Sequence, residues 1–241
     1  MGNADSKITP EISAQTAERP FPTTLKVAIE KSMTKIVCLL SEPDSEPLYA
    51  VSLPQGFWGP MIFHDGPTDK HPVLAAVRDE SKMANKFGVT LPASPKEAVE
   101  SRQELVKWQT VSKKERYWFG LEVGHGAQRR LNRFEWRHSH GAEVRSLGGS
   151  KWGWKLVRLG ADSGAEGLNT VEATEGNEAL ASDGGEIVAV WADATGLTLT
   201  RVGEFHLVGS GATGELGQSF SLMAVASCLC IWLTMMRVNT T

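Results

Sequence analysis

The sequence predicts a mainly β domain, an antiparallel barrel or sandwich that ends in one apolar helix. Three observations carry this. The middle of the chain breaks into short apolar stretches separated by Gly, Pro, Asn and Asp, the texture of strands and turns. Several of those stretches alternate apolar and polar residues, the period of a half-buried strand. The 21 residues between Glu215 and Arg237 carry no charge, a segment too long for a strand.

Residues 1–34 read as a flexible leader, with a polar beginning interrupted by Pro10, Pro20 and Pro22. No basic start precedes an apolar run, so no secretory signal is expected. Residues 35–241 read as one domain. Its candidate strands are KIVCLL (35–40), PLYAVSL (47–53), FWGPMIF (57–63), PVLAAVR (72–78), KFGVTL (86–91) and ERYWFGLEV (115–123). LNRFEWRH (131–138), WGWKLVRL (152–159), GEIVAVWA (185–192), LTLTR (197–201) and EFHLVG (204–209) complete the set. Residues 94–113 read as a short helix or linking loop, with Ser94 as cap and Pro95 at the first helical position. Residues 160–184, Gly-rich and acidic, read as an insertion between two strands.

The chain has 241 residues and a formal charge of −3, which gives no global basicity for nucleic acid. That total hides an uneven distribution. Residues 102–158 hold 13 Lys and Arg against 5 acids, whereas 159–204 hold 1 base against 9 acids. Alternation turns Arg116, Arg133, Arg137 and Lys155 outward from what should be neighbouring strands. Lys113 and Lys114 join them at a strand start, and Arg129, Arg130 and Lys151 from adjacent loops. These nine bases are the candidate lipid-headgroup site, with anionic membrane lipid as the expected partner and no nucleic acid. Glu122 and Glu135 share the outer face and are the acids able to neutralise it.

The strongly apolar part of the terminal segment is 222–236, short for a bilayer. A helix apolar on nearly all sides must be surrounded by lipid or by protein. A closed barrel with the helix, residues 216–237, through its middle supplies the protein; a tail anchor supplies the lipid. Cys228 and Cys230 face different directions on such a helix and read as small apolar fillers. Three cysteines cannot form a complete disulfide framework, which fits a reducing, cytoplasmic compartment.

PLYAVSL, FEWRHSHG with the following GGSKWGWKLVRL, DGGEIVAVWA, and EFHLVGSGATGELGQSF leading into the apolar segment resemble the tubby C-terminal-like superfamily. That superfamily includes the LURP-one-related proteins and the phospholipid scramblases. The resemblance spans roughly residues 35–237. It implies an antiparallel barrel of about twelve strands around a hydrophobic C-terminal helix, and no common enzymatic activity. It also implies association with membranes or phosphoinositides. No binding residue of the family maps onto a position here.

Gly209-Ser210-Gly211-Ala212-Thr213-Gly214 matches G-x-G-x-x-G, but the second strand and the acidic residue of a dinucleotide site do not follow. Its glycines are expected to form a tight turn at the barrel mouth, and no cofactor is expected. His138 and His140 share a strand face, with His125 upstream, but carboxylates or cysteines at ligand spacing are missing, so no metal is expected. Ser139 lacks a nucleophile-elbow context, and no enzymatic activity is expected. Met1-Gly2-Asn3-Ala4-Asp5-Ser6 fits the N-myristoylation signature at Gly2. One acyl chain binds membranes weakly, so a second signal is required, and the outward bases are placed to supply it. The expected protein is cytoplasmic and peripheral at a membrane.

Overall fold

The computed structural model describes residues 20–31, 35–80, 86–94, 100–111, 113–124, 126, 129–147, 151–159, 181, 184–194 and 200–238. Twelve strands form one closed antiparallel barrel in chain order. They are β1 Thr24–Lys31, β2 Ile36–Ser41, β3 Pro47–Leu53, β4 Met61–His64, β5 Val73–Asp79 and β6 Lys86–Leu91. The circuit continues with β7 Arg102–Val111, β8 Lys114–Val123, β9 Arg130–Ser139, β10 Gly153–Arg158, β11 Glu186–Asp193 and β12 Arg201–Leu207. β1 pairs with β2 on one side and β12 on the other, with Leu25 opposite Phe205 and Val27 opposite Leu40. Among the described residues, closure leaves no sheet edge exposed to pairing by another chain.

Helix α3, Gln218–Val238, fills the barrel. Every residue from 219 to 233 is buried, so the helix has no polar face to give to water. Its length and apolarity would suffice to cross a membrane, yet here the strands supply its surroundings. Leu25, Phe63, Phe87, Phe119, Phe134 and Trp136 line the inner wall. Each such residue contributes about 1.5–3 kcal/mol by leaving water. One polar contact fixes the helix rotation: the Trp136 indole N–H donates to Ser227 Oγ at 2.8 Å. At the far end the buried Arg237 guanidinium makes two 2.9 Å bonds to the Asp79 carboxylate and donates to the Phe57 carbonyl at 2.6 Å. A cation in the last turn also complements the helix dipole.

Because successive strands run in opposite directions, the odd-numbered strands end at one mouth of the barrel. The Arg237–Asp79 pair joins the end of α3 to the end of β5, so α3 also finishes at that mouth. Two short helices, α1 Ala142–Arg145 and α2 Gly209–Ala212, lie outside the barrel. Val144, Val157, Ala181, Ile187, Val190 and Ala192 form a small second core there. The turn into α3 is glycine-dependent. Gly209 and Gly217 have φ of 51° and 85°, and a Cβ on Gly211 would meet the Val188 carbonyl oxygen at 2.2 Å. The glycine run, expected to form one tight turn, instead forms α2 followed by turn residues 213–216.

Several strand expectations change. The stretch read as leader to residue 34 contains β1, whose Leu25, Val27 and Ile29 point into the core. Residues 102–111, within the expected helix or loop 94–113, form β7, because pairing with β6 and β8 overrides a local composition rich in Gln, Glu and Lys. FWGPMIF is not one strand: Gly56–Trp58 form a 3-10 turn and β4 begins at Met61. Of LTLTR only Thr200 and Arg201 lie among the described residues, and β12 runs from Arg201 to Leu207.

All three cysteines are buried. Burial pushes the Cys38 thiol up to about 12 and raises Cys228 and Cys230 as well. The native protein is therefore expected to resist a thiol reagent at neutral pH and to release three reactive thiols on denaturation. Rapid labelling of Cys228 or Cys230 in native protein would place α3 outside the barrel.

Candidate functional site

The outer wall of β7 to β10 collects the bases. Pairing puts Arg116 of β8 opposite Arg137 of β9, and Arg137 opposite Lys155 of β10. One step along, Lys107 of β7 faces Trp118, and Trp118 faces Glu135. All these side chains leave the sheet on the side away from α3, because Tyr117, Phe119, Phe134 and Trp136 between them point inward.

Glu135 organises this wall. It stands outside the barrel yet is fully buried, because arginines cover it. Arg116 and Arg137 donate to Oε1 at 2.7 and 2.8 Å, and Arg133 Nη2 approaches Oε2 at 3.5 Å. Their side chains keep 16–20 % exposure. Three cations share one anion, which leaves net positive charge. The Trp118 ring adds a platform, with the Arg133 guanidinium 4.3 Å and the Lys107 ammonium 4.5 Å from its centroid. Lys155 pairs with Glu143 of α1 at 3.4 Å. Ser139 donates its hydroxyl to the same Glu143, a link that ties α1 to the sheet.

The nine expected headgroup residues lie on one sector of the barrel at three heights. Lys113, Lys114 and Lys151 are exposed at the mouth where α3 ends. Arg116, Arg133, Arg137 and Lys155 form the middle of the wall. Arg129 and Arg130 sit at the opposite mouth, where β9 begins. Lys113 adopts a left-handed conformation with φ of 64° in the β7–β8 hairpin. Lys107 and Trp118 join the wall without having been candidates. The position of Lys107 becomes legible only once residues 102–111 are known to be a strand. Gly2 lies outside the described residues, as does the acidic stretch 160–184 apart from Ala181 and Gly184.

At the same mouth, His138 stacks on Trp154 with ring centroids 3.6 Å apart, and its Nε2 lies 3.8 Å from Glu115. Burial lowers the His138 pKa, favouring the neutral imidazole, with Glu115 opposing. Burial raises the Asp193 pKa, while a 2.8 Å bond from the Trp191 indole opposes it. Among the described residues no group of three His, Cys, Asp or Glu is arranged to hold a metal ion. His140 packs edge-on against Trp152 at 4.0 Å, and His125 lies outside the described residues.

No family model matches the chain, and neither a curated protein nor a solved structure matches it.

Proposed function

We propose that this chain is a tubby-like domain of the LURP-one-related and scramblase-like kind, non-enzymatic, and that it binds anionic lipid headgroups, phosphoinositide included, at a membrane. The twelve-strand closed barrel around a buried C-terminal helix is consistent with a tubby-like fold. The observation that carries the lipid reading is the wall: Lys107, Arg116, Arg133 and Arg137 gathered on rigid strands around one carboxylate and one indole ring. Guanidinium groups held in place by Glu135 lose less conformational freedom when a phosphate arrives. A myristoyl chain on Gly2 is the proposed second attachment, placing the protein in the cytoplasm and peripheral at the bilayer. Against a tail anchor stands the enclosure of α3, whose apolar faces are taken by the strands.

Flotation of non-acylated protein tests the reading. Wild type should float with vesicles containing phosphatidylserine or phosphoinositide, not with phosphatidylcholine alone, and less at high salt. Lys107→Gln/Arg133→Gln removes two cations and leaves both hydrogen bonds to Glu135 Oε1 intact. It should weaken flotation severalfold, at about 1 kcal/mol per base. Equal flotation of the two proteins, or none by wild type, would reject the wall as a lipid site and favour a protein-interaction module.

A further inference from the structure

Among the described residues, the large apolar side chains left exposed are Trp58, Trp108, Trp152, Val238 and Leu131. They are not scattered. Trp58 closes the 3-10 turn Gly56–Trp58 between β3 and β4, and its ring lies 5.3 Å from the Arg237 guanidinium. Trp108 lies opposite Tyr117, near the β7 end. Trp152 directly precedes β10. Val238 ends α3. All four stand at the mouth where the odd-numbered strands and α3 finish. Only Leu131, at the start of β9, belongs to the other mouth.

Each tryptophan has basic neighbours. Lys31 lies 5.2 Å from the ring of Phe57, next to Trp58, and Arg237 flanks Trp58 itself. Lys113 and Lys114 close the hairpin that carries Trp108, and Lys151 adjoins Trp152. Among the described residues, exposed Glu30, Asp79, Glu80 and Glu115 stand at this rim against exposed Lys31, Lys35, Lys113, Lys114, Lys151 and Arg201, so the bases prevail. Tryptophan with an apolar body and a polar N–H, flanked by lysine, is the side-chain pairing that settles at a membrane–water interface.

We infer that this mouth is the membrane-facing end of the molecule, with Trp58, Trp108 and Trp152 seated at the headgroup–acyl boundary and Lys113, Lys114 and Lys151 on lipid phosphates. The inference rests on the lipid-binding reading above and adds which end meets the bilayer. Shape decides for a lipid surface over a peptide. The three rings rise from the β3–β4 connection, from β7 and from the β9–β10 connection, so they are spread around a rim. Rings distributed around a rim suit a surface laid across the mouth, whereas an extended peptide follows one groove. The first row of the wall, Arg116, Arg137 and Lys155, lies just behind the rim, because Arg116 follows Lys114 by two residues.

The test uses the full chain, non-acylated, with vesicles of mixed phosphatidylcholine and phosphatidylserine. Binding should shift tryptophan emission to the blue, and lipids brominated at shallow acyl positions should quench it. Trp58→Ala/Trp152→Ala, which removes side chains about 60 % exposed, should keep the wild-type melting temperature and lose vesicle affinity about tenfold, with most of the quenching. Lys113→Glu/Lys114→Glu should lose a comparable factor on anionic vesicles, and Leu131→Ala at the other mouth should change nothing. Wild type that floats while the tryptophan variant floats equally well, or a loss as large for Leu131→Ala, would overturn the orientation and leave the lipid reading standing. Absence of flotation by wild type would overturn the lipid reading and the orientation with it.

Discussion

Ile231→Asp is expected to leave no folded domain. Ile231 is 1 % exposed at the centre of the stretch of α3 that the barrel encloses. An aspartate there faces apolar wall residues, with its partner cation Arg237 nearly two helical turns away and already bound to Asp79. A buried carboxylate must either stay charged without a counter-ion or take up a proton, and both cost several kcal/mol. The lost burial of the isoleucine adds about 2 kcal/mol. Domain stabilities are only about 5–15 kcal/mol, so the sum exhausts most or all of it. Ile231→Val, by contrast, removes one methyl group and should cost about 1 kcal/mol, a fall of about 2–4 °C in Tm. Thermal melting and solubility of the pair give a graded answer. A soluble Ile231→Asp protein that melts like wild type would mean that the helix is not the core.

How much was legible beforehand differs strand by strand, for physical reasons. In β9 the sequence NRFEWRH alternates cleanly, and the structure puts Phe134 and Trp136 inside and Arg133, Glu135 and Arg137 outside. The same alternation in β8 placed Arg116 and Trp118 outward. In β7 only Val106 is fully buried, so the strand has little apolar period and its state is set by its two neighbours, which no local reading contains. β1 has the period in Leu25, Val27 and Ile29 but lies next to a polar, proline-containing stretch that hid it. The terminal helix was recognisable because an uncharged segment needs an enclosure, and a closed sheet is one of two that physics allows. The burial of Glu135 was not legible. Alternation gives a face, while burial on the outer face depends on three arginines folding over one carboxylate from two strands. The tryptophan rim was equally hidden: Trp58, Trp108 and Trp152 are far apart in sequence and come to one mouth only through the closure of the barrel.

Glu135→Gln should lower stability and strengthen anionic-lipid binding together. Glutamine keeps the shape of glutamate, so the cavity is unchanged and the difference is electrostatic. Its amide oxygen still accepts from Arg116 and Arg137. The amide nitrogen then replaces the oxygen that faces Arg133 and presents a donor to a cation. Three guanidinium groups lose their shared counter-ion at a site where Glu135 itself is shielded from water. Breaking a fully buried ion pair costs about 3–5 kcal/mol. The arginine side chains here retain partial exposure, which lets water screen part of the repulsion. The expected loss is therefore nearer 2–3 kcal/mol, about 5–10 °C in Tm. The same change removes one negative charge from the wall, which at about 1 kcal/mol per charge should raise affinity for anionic vesicles severalfold at low salt. The opposed signs separate two roles. If the arginines serve only to hold β8 against β9, the variant melts earlier and floats no better. If they also receive lipid phosphates, it melts earlier and floats better, and the gain disappears at high salt.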